Sequence, residues 1–442
     1  MKKMSLLLYN TLLLTAASLV LRTAGLYLQS YISGKVGAEG VGLFQLILSV
    51  QSLAVTLATS GIRYSVTRLV SEELGSLRQD GVRPVMKRCF TYSIIFSFTA
   101  LVILYSFADK FALLAGDERI GNALRLLALG LPFLSLSSVI GGYFTAVMRP
   151  WKGAIIQLLE QAAMIAAVFI LLPLTKEKDL EASCSAIACS GTLADAASFM
   201  VAALLYILDI RGISKASKKR SGLTGRLMRL SLPLALSSYA RTALSSLQHI
   251  MVPSALKRSG ASSERALSTY GIIHGMAFPV LYFPSAFFLA LADVLIPELT
   301  EAQVKADSAR MNMTACRILS ACLIFSSCMA LIFFTFGKVL GLALYGSLEA
   351  GSYIRLMAPL VIVMYMDMVT DGILKGLGMQ LDSMIINISD ALLCVIMVYF
   401  LVPVWAEKAY VGIIFISECY NFVISFMRLS KVINIRLSIK AL

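Results

Sequence analysis

Residues 6–32 read LLLYNTLLLTAASLVLRTAGLYLQSYI, an apolar run long enough to cross a lipid bilayer as one α-helix. Its polar members recur at intervals of four, three, four and seven residues, which places them on one face of that helix. They are Thr11, Thr15, Ser18, Arg22 and Gln29. An arginine in the middle of a membrane helix costs about 2.5 to 3.5 kcal/mol on insertion scales. The pattern therefore predicts a membrane helix whose polar face meets water or a partner.

The composition extends this prediction to the whole chain. Of the 442 residues, 58% are hydrophobic and only 14% are charged, and the mean hydropathy is +0.81. A soluble domain usually carries about 25% charged residues. We therefore predict an all-α polytopic membrane protein, with twelve spans in two six-helix lobes, 1–210 and 227–442, joined by a basic linker at 211–226. The spans are expected near 6–32, 41–69, 89–108, 121–148, 152–174, 185–209, 228–255, 267–295, 314–336, 350–374, 382–404 and 410–429.

Basic residues concentrate in alternate loops, which fixes the expected orientation. The richest of these loops is the linker, with Lys215, Lys218, Lys219 and Arg220. Because cytoplasmic loops carry the excess of lysine and arginine, we place the linker and both termini in the cytoplasm, in a multi-pass protein of the cell membrane. The net charge of +14 belongs to these loops and predicts no nucleic-acid binding. The eight cysteines lie mostly in apolar segments without paired spacing, so neither disulfides nor a metal site is predicted.

Two motifs of the first half recur about half a chain length later. The tripeptide RTA at 22–24, followed by LQ at 28–29, returns at 241–243 with LQ at 247–248. Residues 125–128 (RLLA) resemble 355–358 (RLMA). Six spans in each half make the repeats parallel, which is an arrangement of transporters that alternate access between two lobes.

Spans 2 and 7 carry polar stripes like that of span 1. In span 2, residues spaced by three or four lead from Gln45 through Ser60 to Arg63, and span 7 aligns Arg241 with Gln248. No acidic residue lies in the apolar cores of these three spans, and a guanidinium fork suits phosphate oxygens, so an anionic substrate is expected. The expected substrate-binding residues are Arg22, Gln29, Ser60, Arg63, Arg241 and Gln248.

Three other interpretations of these residues stay open. The serines and threonines of the stripes can instead join helix to helix. Arg63, near the cytoplasmic end of its span, can snorkel to the interface. Each arginine can also be neutralised by an acid from another span, such as Glu160, Asp195 or Asp293.

Carboxylates inside other spans are candidates for coupling transport to Na⁺ or H⁺. Asp371 lies one turn from Lys375, so an interfacial ion pair is an equal interpretation for it. The sequence contains no GxxxxGK[ST], HExxH or CxxC motif and no sizeable soluble domain, so an enzyme is not expected and no cofactor is predicted. Gly271, Gly275, Pro279 and Pro284 mark span 8 as a bending element. The coupling candidates are Glu160, Asp293, Asp367, Asp371 and Asp390.

Several segments resemble the polysaccharide-export group around stage V sporulation protein B, in the superfamily that also holds MurJ-type lipid II flippases and MATE drug exporters. They are 55–70 in span 2 and 142–161 across spans 4 and 5. The resemblance implies a V-shaped cavity between two lobes, through which an undecaprenyl-pyrophosphate-linked oligosaccharide or peptidoglycan precursor is turned over. It also implies that Arg22, Arg63 and Arg241 hold the pyrophosphate. This chain departs from the group in having twelve predicted spans where fourteen are typical.

Two alternative functions remain open at this stage. A MATE-like exporter of organic cations, coupled to protons or sodium, would need an acidic cavity. A scaffold that recruits cell-wall or spore-coat enzymes through the linker 211–226 would tolerate loss of the intramembrane arginines.

Overall fold

The computed structural model describes residues 2–75, 81–176, 179–211, 223–286 and 307–433, and these ranges contain helices and no β-strand. A π-helical turn, Ile272–Ala277, joins α9 to α10. The helices are α1 Lys2–Thr59, α2 Ile62–Gly75, α3 Val82–Ser106, α4 Ala108–Ala115, α5 Gly121–Ala146, α6 Pro150–Leu171, α7 Leu180–Ile210, α8 Leu223–Arg258, α9 Ser263–Gly271, α10 Phe278–Tyr282, α11 Ser308–Tyr345, α12 Leu348–Met357, α13 Leu360–Gly376 and α14 Gln380–Ser430.

The helices confirm the all-α polytopic fold. Within the described ranges, seven helices are long and apolar enough to cross a membrane, or eight if the bent pair α12 and α13 is one span. Helix α1 has 58 residues and α14 has 51, about 87 and 77 Å at 1.5 Å per residue, while the hydrocarbon core is about 30 Å thick. Each therefore holds two spans. With α8 and the segment 263–286, described helices lie in each of the twelve predicted spans, while residues 287–295 of span 8 are outside the described residues.

Local backbone breaks divide the long helices. Helix α1 breaks at Gly37, whose φ of 69° is accessible to glycine at little cost, and α14 breaks at Ala406, with φ 52°. Ser60 and Gly61, both at positive φ, separate α1 from α2. These breaks fall at the ends of predicted spans, except that the break at Ser60 and Gly61 lies inside span 2.

The contacts divide the chain into two compact units. Unit 1 consists of residues 1–42 and 251–442, and unit 2 of residues 43–250. The first span thus packs with second-half spans, and most of span 7 packs with first-half spans. The lobes predicted from the repeat, 1–210 and 227–442, stay a prediction, and most of the linker 211–226 lies outside the described residues.

Each unit has its own tightly packed interior. In unit 2, α2, α3, α5 and α7 enclose a core that includes Ile62, Val82 and Tyr143. In unit 1, the part of α1 after Gly37 meets α9 backbone to backbone, because a Cβ on Gly42 would lie 2.1 Å from the Leu267 carbonyl oxygen. This contact fixes the region of α1 next to its break at Gly37 against the segment 263–286.

Candidate functional site

Helices α1, α2 and α8 are joined within unit 2 by a ladder of small polar side chains. The Ser246 hydroxyl donates to the Ser49 carbonyl at 2.7 Å, and the Thr56 hydroxyl donates to the Thr242 hydroxyl at 3.3 Å. The polar stripe of span 2 is thus used to pack one helix against another, as in the alternative left open by the sequence. The rungs are Ser49 and Ser52 with Ser246, Thr56 with Thr242, Ser60 with Tyr239, and Ser65 with Ser231.

Ser60 occupies the turn between α1 and α2 and is fully buried inside unit 2. Its hydroxyl bonds to Tyr239, and its carbonyl accepts a hydrogen bond from the Tyr92 hydroxyl at 3.2 Å. These bonds satisfy the hydroxyl and the carbonyl of Ser60. The residue is therefore held as part of the chain break, with no exposed atom to offer a substrate.

Arg63 lines a cavity of about 200 Å³ inside unit 2. The cavity is also lined by Gln157, Glu160 and Asp195, and the Arg63 guanidinium carbon lies 3.9 Å from where a Cβ on Gly141 would stand. Arg63 is exposed and forms no ion pair with any residue in the described ranges. The cavity thus brings together a substrate candidate and a coupling candidate, Arg63 and Glu160, that lie on different helices.

Arg241 lies on α8 beside the rung made by Thr242. Its side chain is exposed and makes neither a hydrogen bond nor an ion pair within the part of the chain that the structure describes, and the same holds for the half-buried Gln248. An arginine on a membrane helix needs water or a ligand, because lipid does not solvate it. Unit 2 therefore carries two available guanidinium groups, those of Arg63 and Arg241.

Arg22 and Gln29 belong to unit 1, where both bond to backbone carbonyls of the segment 263–286. Arg22 Nη1 donates to the Tyr282 carbonyl at 3.0 Å and to the Ser285 hydroxyl at 3.2 Å. Gln29 Nε2 donates to the Gly275 carbonyl at 2.8 Å. Neutralisation of Arg22 by an acid, one of the alternatives left open by the sequence, is not seen among the described residues, where its hydrogen-bond partners are neutral oxygens.

The coupling candidates of unit 1 differ in their surroundings. Asp371 pairs with Lys375 and accepts a hydrogen bond from Ser383, which agrees with the interfacial ion pair considered for it. Asp390 accepts a hydrogen bond from the Ser417 hydroxyl at 2.7 Å. Asp293 lies outside the described residues.

Asp367 is the most deeply buried of these carboxylates, with 9% of its surface exposed. Its Oδ2 accepts a hydrogen bond from Asn421 Nδ2 at 3.2 Å. Asp367 Oδ1 and Asn421 Oδ1 are buried and find no hydrogen-bond donor in the described residues. No group of three or more metal-ligating side chains occurs in those ranges.

Sequence reasoning missed three residues at these sites. Tyr239 completes the turn at Ser60, Tyr365 donates from its hydroxyl to the Leu281 carbonyl at 2.6 Å, and Asn421 holds Asp367. Asn421 carries a usable signal, because it is an amide inside an apolar span. The tyrosines carry none, since their rings fit an apolar pattern and only their hydroxyl groups act here.

Comparison with known families decides the identity. Residues 7–303, well over half of the chain, match the family model described as polysaccharide biosynthesis protein. The chain belongs to the polysaccharide biosynthesis protein family. Together with the relatives below, this membership places it in the multidrug/oligosaccharidyl-lipid/polysaccharide (MOP) exporter superfamily, the one that the sequence resembles. It also confirms a transporter rather than an enzyme.

Two curated proteins of Bacillus subtilis are similar to this chain, one over most of its length and the other over a shorter part. Stage V sporulation protein B of Bacillus subtilis is 26% identical over 397 residues, covering 87% of this chain and 75% of that protein. Lipid II flippase MurJ of Bacillus subtilis is 26% identical over 181 residues, covering 38% of this chain and 33% of that protein. These likenesses support a membrane flippase or exporter and leave the substrate open.

Solved structures support the fold of this polysaccharide biosynthesis protein family member. A multidrug resistance MATE family transporter of the MOP superfamily, in an inward-facing conformation, matches with a TM-score of 0.73 and 15% identity over 92% of this chain and 94% of that one. A MOP superfamily transporter from Pyrococcus furiosus, described as having reverse polarity of its binding pocket, matches with a TM-score of 0.67 and 14% identity over 96% of both chains. At such identities the agreement concerns the fold.

Proposed function

We propose that this chain is a flippase that moves an undecaprenyl-pyrophosphate-linked oligosaccharide or peptidoglycan precursor across the cytoplasmic membrane by alternating access. The observation that carries the proposal is the pair of available guanidinium groups in unit 2. Arg63 and Arg241 are exposed and form no ion pair in the described ranges. Guanidinium groups bind phosphate oxygens through paired, charge-assisted hydrogen bonds, so the pair suits a pyrophosphate.

The ladder supports this proposal by holding the two arginines in place. Arg241 is next to the rung residue Thr242, and Arg63 follows the buried turn at Ser60 by three residues. An arginine whose backbone is fixed before binding loses less conformational entropy when the ligand arrives. We infer that the small polar residues of the stripes position the arginines, and that the arginines bind the substrate.

The test is binding of undecaprenyl pyrophosphate to the purified protein. Loss of one charge-assisted contact, worth about 1.5 to 3 kcal/mol, should weaken binding about 10- to 150-fold in Arg63→Gln and in Arg241→Gln. The matched controls are Arg68→Gln and Arg226→Gln, which remove the same charge from the same two helices. Both control arginines pair with Glu72, so binding should not change.

Equal binding by all four variants would refute the assignment of these arginines to the substrate. A cationic dye serves as the competing ligand in the same experiment. Dye binding that survives the loss of Arg63 and Arg241, with no binding of the pyrophosphate lipid, would instead support an exporter of organic cations.

We further propose that Asp367 and Asn421 form the coupling site. Two buried oxygens, Asp367 Oδ1 and Asn421 Oδ1, have no donor in the part of the chain that the structure describes, and a buried polar atom without a partner costs about 1 to 3 kcal/mol. One proton on Asp367, donated to Asn421 Oδ1, would satisfy both atoms, because Asn421 Nδ2 already donates to Asp367 Oδ2. A Na⁺ ion accepted by the two oxygens would do the same.

Transport driven separately by a proton gradient and by a sodium gradient distinguishes the two ions. Asp367→Asn keeps the shape of the side chain and should remove the dependence on the coupling gradient. Asp371→Asn is the matched control, one turn away, and removes a carboxylate that is already paired with Lys375. Gradient-dependent transport in Asp367→Asn would exclude this site from coupling.

A further inference from the structure

The segment 263–286 of unit 1 is an interrupted helix. Its π-helical turn, Ile272–Ala277, is followed by Pro279 and Pro284. Because proline has no N–H, Pro279 cannot donate to the Gly275 carbonyl four residues before it. Farther along, the Ala286 N–H bonds to the Phe283 carbonyl, so the Tyr282 carbonyl loses that backbone donor and accepts from side chains instead, including the Ser285 hydroxyl at 2.7 Å. The bends therefore leave carbonyl groups that need donors from elsewhere.

Side chains of the first span supply two of these donors. Gln29 Nε2 donates to the Gly275 carbonyl at 2.8 Å, and Arg22 Nη1 donates to the Tyr282 carbonyl at 3.0 Å. Arg22 and Gln29 are seven residues apart, as are Gly275 and Tyr282, so the two contacts match along antiparallel helices. A third donor comes from α13, where the Tyr365 hydroxyl bonds to the Leu281 carbonyl at 2.6 Å.

The guanidinium group of Arg22 is only partly used by these contacts. Both hydrogen bonds leave from Nη1, to the Tyr282 carbonyl and the Ser285 hydroxyl. Its Nε and Nη2 have no partner in the described ranges, and no carboxylate there forms an ion pair with it. Nη1 of the charged guanidinium thus holds the bent segment. The edge formed by Nε and Nη2, which matches two phosphate oxygens, stays available.

We propose that Arg22 and Gln29 are positioning residues that hold the bend of the segment 263–286, and that a phosphate group on Arg22 releases it. A phosphate adds the attraction of opposite charges and can accept from Nε and Nη2 together, neither of which the neutral Tyr282 carbonyl offers, so an arriving phosphate draws the guanidinium away from Tyr282. Gln29, with no charge, keeps its bond to Gly275. Substrate binding thereby loosens the end of the segment around Tyr282, while the part around Gly275 stays held by Gln29. This deepens the flippase proposal and rests on it for the source of the phosphate.

Hydrogen–deuterium exchange of the backbone amides in 272–286 tests the proposal in the purified full-length protein. Loss of a hydrogen bond should raise exchange about tenfold, so we expect that rise near Gly275 in Gln29→Leu, which loses one bond, and at least that rise near Tyr282 in Arg22→Met, which loses two. The matched control is Thr23→Val, because in the described ranges the Thr23 hydroxyl bonds within its own helix, to the Leu19 carbonyl. Unchanged exchange in both variants would overturn the positioning role.

The second arm adds inorganic pyrophosphate to each protein. In the wild type, exchange near Tyr282 should rise toward the level of Arg22→Met, and in Arg22→Met it should not respond. Arg22→Lys keeps the charge but lacks the second edge, so it should show a weaker response. A role that is only structural would leave all three proteins insensitive to pyrophosphate, and that result would overturn the release step.

The two proposals can fail separately in this experiment. Protection of amides around Arg63 and Arg241 by pyrophosphate, with no change near Tyr282, would overturn the release step and leave the phosphate-binding function intact. Raised exchange in Gln29→Leu and Arg22→Met, with no effect of pyrophosphate anywhere, would support the positioning role and count against both the release step and the proposed substrate.

Discussion

Replacing Gly42 by alanine should destabilise unit 1, because the backbone of α1 meets that of α9 at this point. The new Cβ would lie 2.1 Å from the Leu267 carbonyl oxygen and 2.8 Å from its carbon, far inside ordinary van der Waals contact. The obstacle is backbone within a helix, so the two helices must separate. The same close approach is seen from the other side, where a Cβ on Gly271 would lie 2.3 Å from the Ala38 carbonyl oxygen.

The expected magnitude follows from two opposing effects. Overpacking of this kind costs about 1 to 3 kcal/mol, and a rigid backbone obstacle favours the upper end. Exchanging glycine for alanine in a helix returns about 0.5 to 1 kcal/mol. The net loss in the free energy of unfolding should therefore be about 2 kcal/mol.

Thermal unfolding of the purified protein measures this loss. The control is Gly34→Ala, eight residues earlier in α1, where a Cβ would meet nothing within 4 Å. That variant should be as stable as the wild type or slightly more stable. If Gly42→Ala were as stable as Gly34→Ala, the close packing of the first break against α9 would be refuted.

Three further predictions concern other parts of the chain. Ser246→Ala removes a buried rung of the ladder and should lower the free energy of unfolding by about 0.5 to 1.5 kcal/mol, measured by thermal unfolding. Asp209→Ala leaves Lys152, which is 12% exposed, without its carboxylate and should cost about 3 kcal/mol by the same assay; no change would mean the pair is not formed. In a cysteine-free background, Ser259→Cys should react with an impermeant maleimide on intact cells and Lys431→Cys should not, and the reverse would overturn the predicted orientation.

The membrane fold could be predicted from the sequence because apolar length is a direct signal. The run at 6–32 and its eleven successors have the length of a bilayer crossing, and in the described residues the helices lie at those positions. The sequence gives weaker signals for the helix breaks inside span 2 and within the segment 263–286. Glycines and prolines indicate that a helix bends there, but the π-helical turn at 272–277 depends on packing that no local pattern records.

The polar stripes show the limit of periodicity. Spacing by three and four residues correctly placed Ser49, Thr56 and Ser60 on one face, yet it does not say what the face meets. The structure shows helix-to-helix bonds for these hydroxyls, while Arg63 on the same stripe stays exposed. A short hydroxyl can be satisfied by a neighbouring helix, whereas a long guanidinium reaches past it.

The partners of Arg22 could not have been predicted from side-chain chemistry. An intramembrane arginine suggests a carboxylate or an anionic substrate as its partner. The guanidinium in fact meets the Tyr282 carbonyl, which also accepts from the Ser285 hydroxyl while the Ala286 N–H bonds to Phe283. A backbone carbonyl that accepts from a side chain depends on how the helix bends around its prolines. The charges of the side chains in the sequence do not reveal it.

The most direct test of the proposed function is transfer of a lipid-linked sugar in proteoliposomes. The measured quantity is the fraction of a labelled undecaprenyl-pyrophosphoryl sugar that becomes accessible on the opposite leaflet. We expect transfer by the wild type and by Arg68→Gln, and loss of transfer in Arg63→Gln and Arg241→Gln. Transfer that persists in both cavity-arginine variants, or a wild type that moves only a cationic dye, would contradict the account.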